Sequence, residues 1–268
     1  MNFLHNYIPH PIFFQLGDIT IRFYSLFIIL AIIVCLITVL FLAKKNTSEK
    51  NISDDIFDLA LWLIIGGIIG ARLYDVFLID WSYFRNHLVD IIKIWQGGIA
   101  IHGAIIGGLI SSLAWAKIKK RNFWKFAALI FTVLPLGQAI GRWGNYFNQE
   151  LFGRPTNLPW GIPISLDNRQ LEYSNFQYFH PTFFYESILN LILFFVLLFV
   201  YKKNRLKPIF IPIIYLMGYS IIRFSTEFIR IDPTPVYFGL RLPQIASLII
   251  FIALILFLLL RKFRRSVS

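Results

Sequence analysis

Long apolar stretches alternate with short polar ones along this chain. A helix needs about 20 mostly apolar residues to cross the hydrocarbon core of a bilayer, which is about 30 Å thick. Three stretches of suitable length lack Asp, Glu, Lys and Arg: Phe23–Leu42, Gly97–Ala116 and Leu242–Leu260. Four more carry ionisable residues near one end: Leu59–Leu78, Phe126–Tyr146, Thr182–Tyr201 and Ile209–Phe228. The pattern predicts an all-α, polytopic membrane protein with about seven transmembrane helices.

Basic residues cluster after every odd-numbered span of this seven-span arrangement. The clusters are Lys44, Lys45 and Lys50, then Lys117, Lys119, Lys120, Arg121 and Lys125, then Lys202, Lys203, Arg205 and Lys207, and finally Arg261, Lys262, Arg264 and Arg265. Such clusters mark cytoplasmic loops, so we expect the N-terminus outside and the C-terminus in the cytoplasm. Residues 1–268 are then one integral membrane domain. An Asn-, Gln- and Pro-rich insertion at about 147–180 forms a small external cap.

Composition excludes several protein classes. Hydrophobic residues make up 57% and charged residues 15% of the chain, whereas a soluble domain carries about 25% charged residues. The apolar content is too high for intrinsic disorder, and the single cysteine, Cys35, excludes a disulfide scaffold. A net charge of +12 often indicates nucleic-acid binding. Here the cytoplasmic clusters account for most of the excess, and we predict no nucleic-acid partner.

The remaining polar residues of the spans lie near their predicted outer ends. They are Tyr24, Arg72, Asp75, His102, Arg142, Glu186, Arg223 and Glu227. A charge at membrane depth costs at least about 2.5–3.5 kcal/mol on insertion scales, so it is kept where it is paired or used. We therefore predict one polar site that opens to the outer half of the bilayer. The glycine-rich runs 66–70 and 103–108 instead indicate close helix packing.

Helical spacing separates structural from functional interpretations of these charges. Arg72 and Asp75 are three residues apart, which favours a structural ion pair. Arg223 and Glu227 are four apart, which taken alone fits a structural ion pair and a functional role equally. They share one helix face with Tyr219 and Arg230, which favours a functional role. Arg142 has no carboxylate within four residues, so it needs either a distant partner or an anionic ligand. Two arginines from different spans suit the phosphate of a phospholipid.

Two other functional classes fit the sequence less well. A transporter or channel for a small anion needs polar residues through both halves of the membrane, and the inner halves lack them. An intramembrane serine protease needs a nucleophile, but the chain has no Gly-x-Ser-x-Gly element. No residues show metal-ligand spacing, and we predict neither a metal nor a cofactor.

The run from Gly141 to Gly153, GRWGNYFNQELFG, resembles the signature of the bacterial prolipoprotein diacylglyceryl transferases. That signature reads Gly-Arg-x-Gly/Ala-Asn-Phe, an apolar residue, then Asn-x-Glu-x-x-Gly, and Tyr146 replaces its phenylalanine. Other matching segments are 97–103, 180–186 and 219–230, and the resemblance covers essentially the whole chain. The sequence departs from the family at 99–101 and 183–184, where Ile-Ala-Ile and Phe-Phe stand instead of the usual residues.

The resemblance implies the transfer of a diacylglyceryl group from phosphatidylglycerol to the lipobox cysteine thiol of a preprolipoprotein. The products are a thioether and glycerol 1-phosphate, in the first step of lipoprotein maturation. The partners are then phosphatidylglycerol, the signal peptide with its lipobox cysteine, and membrane lipid. The family also implies a multi-pass protein of the bacterial inner membrane, with its active site facing the outer half of the bilayer.

Three residues are predicted to be catalytic, on the resemblance together with their placement. Arg142 and Arg223 bind the phosphate, because preorganised cations in a water-poor site stabilise its developing charge. His102 takes the thiol proton, since an imidazole titrates near neutral pH, although Glu227 or a phosphate oxygen remains an alternative base.

The other predicted site residues are assigned to substrate binding. Asn145, Glu150 and Gly153 shape the headgroup pocket. Tyr24, Tyr219, Glu227 and Arg230 orient the arginines or the substrate.

Overall fold

The computed structural model describes residues 2–17, 19–46, 51–203 and 206–267. Two members of the predicted basic clusters, Lys50 and Arg205, lie outside the described residues, as do the side chains of Arg264 and Arg265.

Helices dominate the described chain. The α-helices are α1 Asn2–Asn6, α2 Phe23–Asn46, α3 Ile52–Tyr74, α4 Trp81–Phe84, α5 Ile101–Ile118, α6 Phe123–Phe147, α7 Thr182–Lys203, α8 Phe210–Thr226 and α9 Leu242–Val267. A π-helical segment, Asp75–Ile79, extends α3, and 3-10 turns occupy Leu88–Ile92, Ile94–Gln96, Leu166–Asn168 and Leu171–Tyr173. Three antiparallel ribbons pair β1 Ile12–Leu16 with β2 Ile19–Arg22, β3 Ile162–Pro163 with β4 Tyr178–Phe179, and β5 Val236–Tyr237 with β6 Leu240–Arg241. The protein is thus mostly helical, and the all-α description omits these ribbons.

Six helices within the described residues are long and apolar enough to cross a membrane. They are Phe23–Lys45, Ile52–Ile79, Ile101–Ile118, Phe123–Phe147, Thr182–Lys203 and Leu242–Lys262. The remaining predicted span corresponds to α8, which has 17 residues and is therefore about 25 Å long at 1.5 Å per residue. Six of the predicted spans are confirmed as candidates, and the seventh is a shorter apolar helix. The direction in which the spans cross stays a prediction.

Proline marks the starts of the last three long helices. Pro181 immediately precedes α7, Pro208 stands two residues before α8, and Pro243 is the second residue of α9. Proline fits the beginning of a helix, because its fixed φ suits the first turn and its missing N–H would have no partner there. These starts matter for the site, because charged residues lie within about one turn of two of them.

The chain divides into two compact units, residues 1–37 with 127–268 and residues 38–126. In the first unit, α7 and α8 pack through a core that includes Leu193, Leu197, Ile211 and Tyr215. A second core in this unit joins the end of α6 to the segment between α6 and α7 and includes Tyr146, Phe152, Ile164, Phe179 and Phe183.

The predicted cap is a folded segment fastened to the N-terminus. Its β3–β4 ribbon pairs Ile162 with Phe179. The His5 ring stacks on Tyr178 with centroids 4.1 Å apart. Gln149 accepts a hydrogen bond from the Ser165 amide at 2.6 Å and donates one to the Pro9 carbonyl at 2.8 Å. The cap is therefore held by specific polar contacts as well as by its apolar core.

Glycines bring α3 and α5 into close contact in the second unit. A Cβ atom added to Gly70 would collide with the carbonyl oxygen of Gly103, and one added to Gly107 would collide with that of Gly66. Only residues without a side chain allow two helix backbones to approach this closely. The packing predicted from the two glycine-rich runs is confirmed.

Candidate active site

Glu186 is the carboxylate on which three arginines converge. It lies one turn into α7, and its side chain is only 3% exposed. Its Oε2 is 2.6 Å from Nη2 of Arg142 on α6. Its Oε1 is 3.1 Å from Nη1 of Arg230, beyond the end of α8, and 3.9 Å from Nη1 of Arg223 on α8. The distant partner that Arg142 needs is therefore Glu186.

Glu227, which follows α8, is a second buried carboxylate between arginines. Its side chain is fully buried, with Oε2 at 2.9 Å from Nη2 of Arg223 and Oε1 at 2.7 Å from Nε of Arg241. Nε of Arg230 is 3.8 Å from Oε2 of Glu227 and 2.7 Å from Oδ1 of Asp232. Arg223 and Glu227 thus form the ion pair that their spacing allows.

These side chains form what we call the arginine–carboxylate cluster. Its members are Arg142, Arg223, Arg230, Arg241, Glu186, Glu227 and Asp232. Buried charges persist where opposite charges and hydrogen bonds compensate for lost hydration. Four guanidinium groups face three carboxylates here, so the cluster carries one excess positive charge and is suited to an anionic ligand.

Exposure divides the arginines of the cluster into two kinds. The side chain of Arg230 is 3% exposed, and its guanidinium contacts Glu186, Glu227 and Asp232. Those of Arg142 and Arg223 are 18% and 19% exposed. Within the described residues, neither Arg142 nor Arg223 uses its Nε–H in a hydrogen bond. These two arginines can bind a ligand while Arg230 holds the carboxylates.

The run 141–153, which contains the end of α6, forms a hydrogen-bonded turn beside Arg142. The Asn145 amide donates to Oε1 of Glu150 at 2.7 Å, and its oxygen lies 3.4 Å from Nη1 of Arg142. Asn148 also donates to Glu150, at 3.3 Å. Positive φ values at Gln149 and Leu151 turn the chain on both sides of Glu150. Asn145 and Glu150 are thus brought to the Arg142 end of the cluster.

Gly153 lies where the cap meets the segment after α8. It forms an isolated antiparallel bridge with Arg230, and its amide donates to the His180 carbonyl at 2.9 Å. A Cβ atom here would stand 2.7 Å from Ile229 Cγ2 and 2.8 Å from His180 Cβ. Gly153 is therefore tightly packed against the backbone segment that contains Arg230.

The two predicted tyrosines flank the cluster. Tyr24, at the start of α2, packs against Gly144, where an added Cβ would lie 2.7 Å from the tyrosine ring. Tyr219 lies one helical turn before Arg223 and stacks on Tyr215, with centroids 5.9 Å apart. Tyr24 therefore packs next to the residue before Asn145, and Tyr219 lies on the helix that carries Arg223.

His102 belongs to the second unit, whereas the other nine predicted site residues belong to the first. It is exposed at the start of α5, and its ring stacks on Tyr74 with centroids 5.8 Å apart. No hydrogen bond or ion pair of His102 occurs among the described residues. Its part in the chemistry stays a prediction.

A hydrogen-bonded chain lies next to Glu186. The indole of Trp160 donates to the Tyr185 hydroxyl at 2.9 Å, and that hydroxyl is 3.1 Å from Nδ1 of His180. Burial lowers the pKa of His180, because it disfavours the charged ring. These hydrogen bonds connect the cap to the beginning of α7, the helix that carries Glu186.

Three cluster members lie outside the site predicted from the sequence. Glu186 was recognised as an intramembrane charge, but Asp232 and Arg241 were not singled out. One signal was available for Arg241: it precedes α9, at the opposite end of that helix from the basic cluster of 261–265. Basic residues are expected mainly at the cytoplasmic ends of spans, so an arginine at the predicted outer end of α9 indicates a nearby acidic partner.

Comparison with known proteins identifies the family. A family model described as "Prolipoprotein diacylglyceryl transferase" matches residues 11–260. A phosphatidylglycerol–prolipoprotein diacylglyceryl transferase of Trichormus variabilis is 45% identical over 245 residues, which cover 90% of this chain and 85% of the relative. Relatives with the same name from Acaryochloris marina and a Synechocystis species are 45% and 42% identical, cover 90% of this chain, and are themselves covered to 86% and 85%. The chain therefore belongs to the prolipoprotein diacylglyceryl transferase family.

Proposed function

We propose that the arginine–carboxylate cluster binds the phosphate of phosphatidylglycerol while its diacylglyceryl group passes to a prolipoprotein cysteine. Family membership gives this multi-pass membrane protein the activity of a prolipoprotein diacylglyceryl transferase. The names of the relatives identify phosphatidylglycerol as their lipid and a prolipoprotein as their acceptor. One observation carries the assignment of the site. Arg142 and Arg223, on different helices, meet at Glu186, and part of each side chain remains exposed.

The reaction demands stabilisation of a leaving phosphate. The thiolate sulfur forms a bond to the glycerol carbon that carries the phosphate ester, and the bond from that carbon to the phosphate oxygen breaks. The electron pair of the broken bond leaves with glycerol 1-phosphate. Fixed guanidinium groups stabilise this charge strongly in a site that excludes water, and their planar fork matches phosphate oxygens. Arg142 and Arg223 are assigned this role.

Glu186 and Arg230 support the two phosphate-binding arginines. Two guanidinium groups repel each other unless an anion lies between them, and Glu186 supplies that anion at 2.6 Å from Arg142. Arg230 binds the other oxygen of Glu186 at 3.1 Å and is itself held by Asp232. The carboxylates therefore preorganise the cations for the lipid. Asn145 and Glu150 contribute hydrogen-bonding groups for the headgroup at the Arg142 side.

The thiol proton goes to His102 in this proposal. Glu227 is the alternative base, but its Oε1 contacts Arg241 at 2.7 Å and its Oε2 contacts Arg223 at 2.9 Å. Both oxygens of Glu227 contact a guanidinium group, and its side chain is fully buried. His102 has no such competing contact among the described residues. Transfer rates of His102→Gln and Glu227→Gln across pH test the choice, and a near-normal rate for His102→Gln would exclude His102.

The proposed location follows from the charge pattern of the loops. The basic clusters after the odd-numbered spans favour the cytoplasmic side. The cluster and the cap then face the outer half of the bacterial inner membrane, in one integral membrane domain. Reaction of single-cysteine variants in the cap with an impermeant thiol reagent tests this orientation. We expect labelling of intact spheroplasts at Asn157→Cys, in a Cys35→Ala background.

The central experiment measures transfer from labelled phosphatidylglycerol to a lipobox peptide in proteoliposomes. We expect a peptide mass gain of one diacylglyceryl group with the unaltered protein. Arg142→Gln and Arg223→Gln should each lower the rate at least about 100-fold, as the loss of one preorganised donor does elsewhere. Arg154→Gln is the matched control, because Arg154 is exposed and close in sequence to the same turn. Rates within a factor of two for both cluster variants would contradict the assignment.

A further inference from the structure

Arg241 uses its whole guanidinium on the segment that follows α8. It lies at the end of the β5–β6 ribbon, directly before α9. Its Nε donates to Oε1 of Glu227 at 2.7 Å, its Nη1 to the Arg230 carbonyl at 2.7 Å, and its Nη2 to the Asp232 carbonyl at 2.5 Å. One side chain thus fixes both a buried carboxylate and the backbone that carries two other cluster residues.

The backbone of Arg241 is itself held in place. Phe238 and Gly239 have positive φ values of 53° and 76° and form the tight turn of the ribbon. The Arg241 amide donates to Oε1 of the buried Gln244 at 3.0 Å, and the next amide, of Leu242, donates to the Pro235 carbonyl at 2.9 Å. A side chain on so constrained a backbone loses little further freedom when it makes its contacts.

Arg241 and Arg223 share Glu227 between them. Arg241 takes Oε1, so that Oε2 faces Arg223 at 2.9 Å. Without Arg241, Oε1 is a buried acceptor without its donor, and the negative charge of Glu227 draws Arg223 more strongly. The cluster also loses its one excess positive charge. Both effects weaken the attraction of the site for an anionic phosphate.

We propose that Arg241 is a positioning residue of the phosphate site. It neutralises Glu227 and ties the segment 227–232 to the start of α9, and Arg223 is thereby left available to the lipid phosphate. This inference rests on the proposed function, because it deepens the role given there to Arg223. It predicts that loss of Arg241 changes KM for the lipid substrate and leaves KM for the peptide substrate unchanged.

The test separates the two substrates in steady-state kinetics. We expect Arg241→Gln to raise KM for phosphatidylglycerol about tenfold, the size expected for one charged hydrogen bond, with KM for the lipobox peptide unchanged. Arg241→Lys keeps the charge and loses the fork, so its KM for the lipid should lie between those of Arg241→Gln and the unaltered protein. Arg154→Gln again serves as the exposed arginine control.

Thermal melting in detergent distinguishes positioning from simple structural support. A melting temperature for Arg241→Lys close to that of the unaltered protein, together with its intermediate lipid KM, supports the inference. Equal changes in both KM values, or recovery of activity only in step with melting temperature, would overturn it. If Arg223→Gln impairs lipid use while both Arg241 variants leave it within twofold, the inference fails alone. If Arg223→Gln has no effect either, the proposed function fails with it.

Discussion

Arginine is buried in both units of the molecule, and the two environments differ in the acceptors it meets. In the second unit, Arg72 donates to four backbone carbonyls, those of Asp90, Ile91, Gly97 and Gly98, at 2.5 to 2.8 Å. In the first unit, Arg142 and Arg223 contact carboxylates and remain about one-fifth exposed. Charge alone therefore does not distinguish an arginine that builds structure from one that is available to a ligand, whereas the acceptors and the remaining exposure do.

The acceptors explain the difference. The donors of Arg72 all point at carbonyls of the segment 90–98, and its guanidinium also lies over the Phe84 ring at 4.8 Å. A ligand would have to displace several backbone hydrogen bonds to reach it. In the arginine–carboxylate cluster, three carboxylates contact four guanidinium groups. An incoming anion would neutralise the one excess positive charge.

The strongest test of this comparison removes the shared anion. Glu186→Gln leaves Arg142, Arg223 and Arg230 without their common carboxylate. Breaking a buried ion pair on one side costs about 3–5 kcal/mol, so we expect a clearly lower melting temperature and a loss of transfer of at least about 100-fold. Transfer in proteoliposomes and melting in detergent measure the two effects.

Glu172→Gln, an exposed substitution in the cap, is the control for Glu186→Gln. Normal transfer by a folded Glu186→Gln protein would show that the arginines do not need this carboxylate.

A second test separates stability from activity in the other unit. Arg72→Met keeps an apolar stem and leaves four carbonyls without their donor, and a buried unsatisfied group costs about 1–3 kcal/mol. We expect faster proteolysis within 85–98 and a lower melting temperature, with KM for phosphatidylglycerol unchanged in the protein that stays folded. A selective rise in that KM would place Arg72 with the ligand-binding arginines and break the comparison.

The helix pair that carries Arg72 allows a smaller and sharper test. Gly70→Ala drives a methyl group into the backbone of α5, and overpacking of this kind costs about 1–3 kcal/mol. Gly67→Ala is the matched control, because its added Cβ would meet only the Ala104 carbonyl at 3.7 Å. We expect the melting temperature to fall for Gly70→Ala. It should stay the same or rise for Gly67→Ala, because alanine has a higher helix propensity than glycine. Equal melting of the two variants would contradict the close packing.

The smallest expected effect is a pH dependence next to the cluster. Burial lowers the pKa of His180, so the folded protein binds a proton less readily than the unfolded chain. The contribution of the neutral ring to stability is present above the ordinary pKa of histidine and is lost as pH falls through the lower folded value. The melting temperature of the unaltered protein should fall as the pH is lowered through that range, and the melting temperature of His180→Gln should fall less. Parallel declines would assign the effect to other groups.

Sequence predicted those parts of the structure that depend on neighbours along the chain. The apolar stretches predicted six helices that are long and apolar enough to cross a membrane, because the bilayer sets that length. The contact between Arg223 and Glu227 was one of the expected possibilities, because residues four apart meet on a helix. The Arg72–Asp75 pair was also expected, but at 3.7 Å it is a minor contact beside the four carbonyls.

Contacts between distant elements were not predictable in the same way. The pairing of Arg142 with Glu186 depends on how α6 packs beside α7, which no spacing in the sequence encodes. Arg241 reaches Glu227 only because the β5–β6 ribbon turns the chain back, and short ribbons of two residues leave almost no periodic signal.

The pairing of Arg142 with Glu186 also bears on how the chain enters a membrane. Synthesis proceeds from the N-terminus, so α6 and its arginine leave the ribosome before the carboxylate of α7 exists. A lone guanidinium five residues from the end of α6 must reach towards the lipid headgroups until its partner arrives. We expect α6 to integrate stably only together with α7, so that the order of translation makes this helix pair a single unit of membrane insertion.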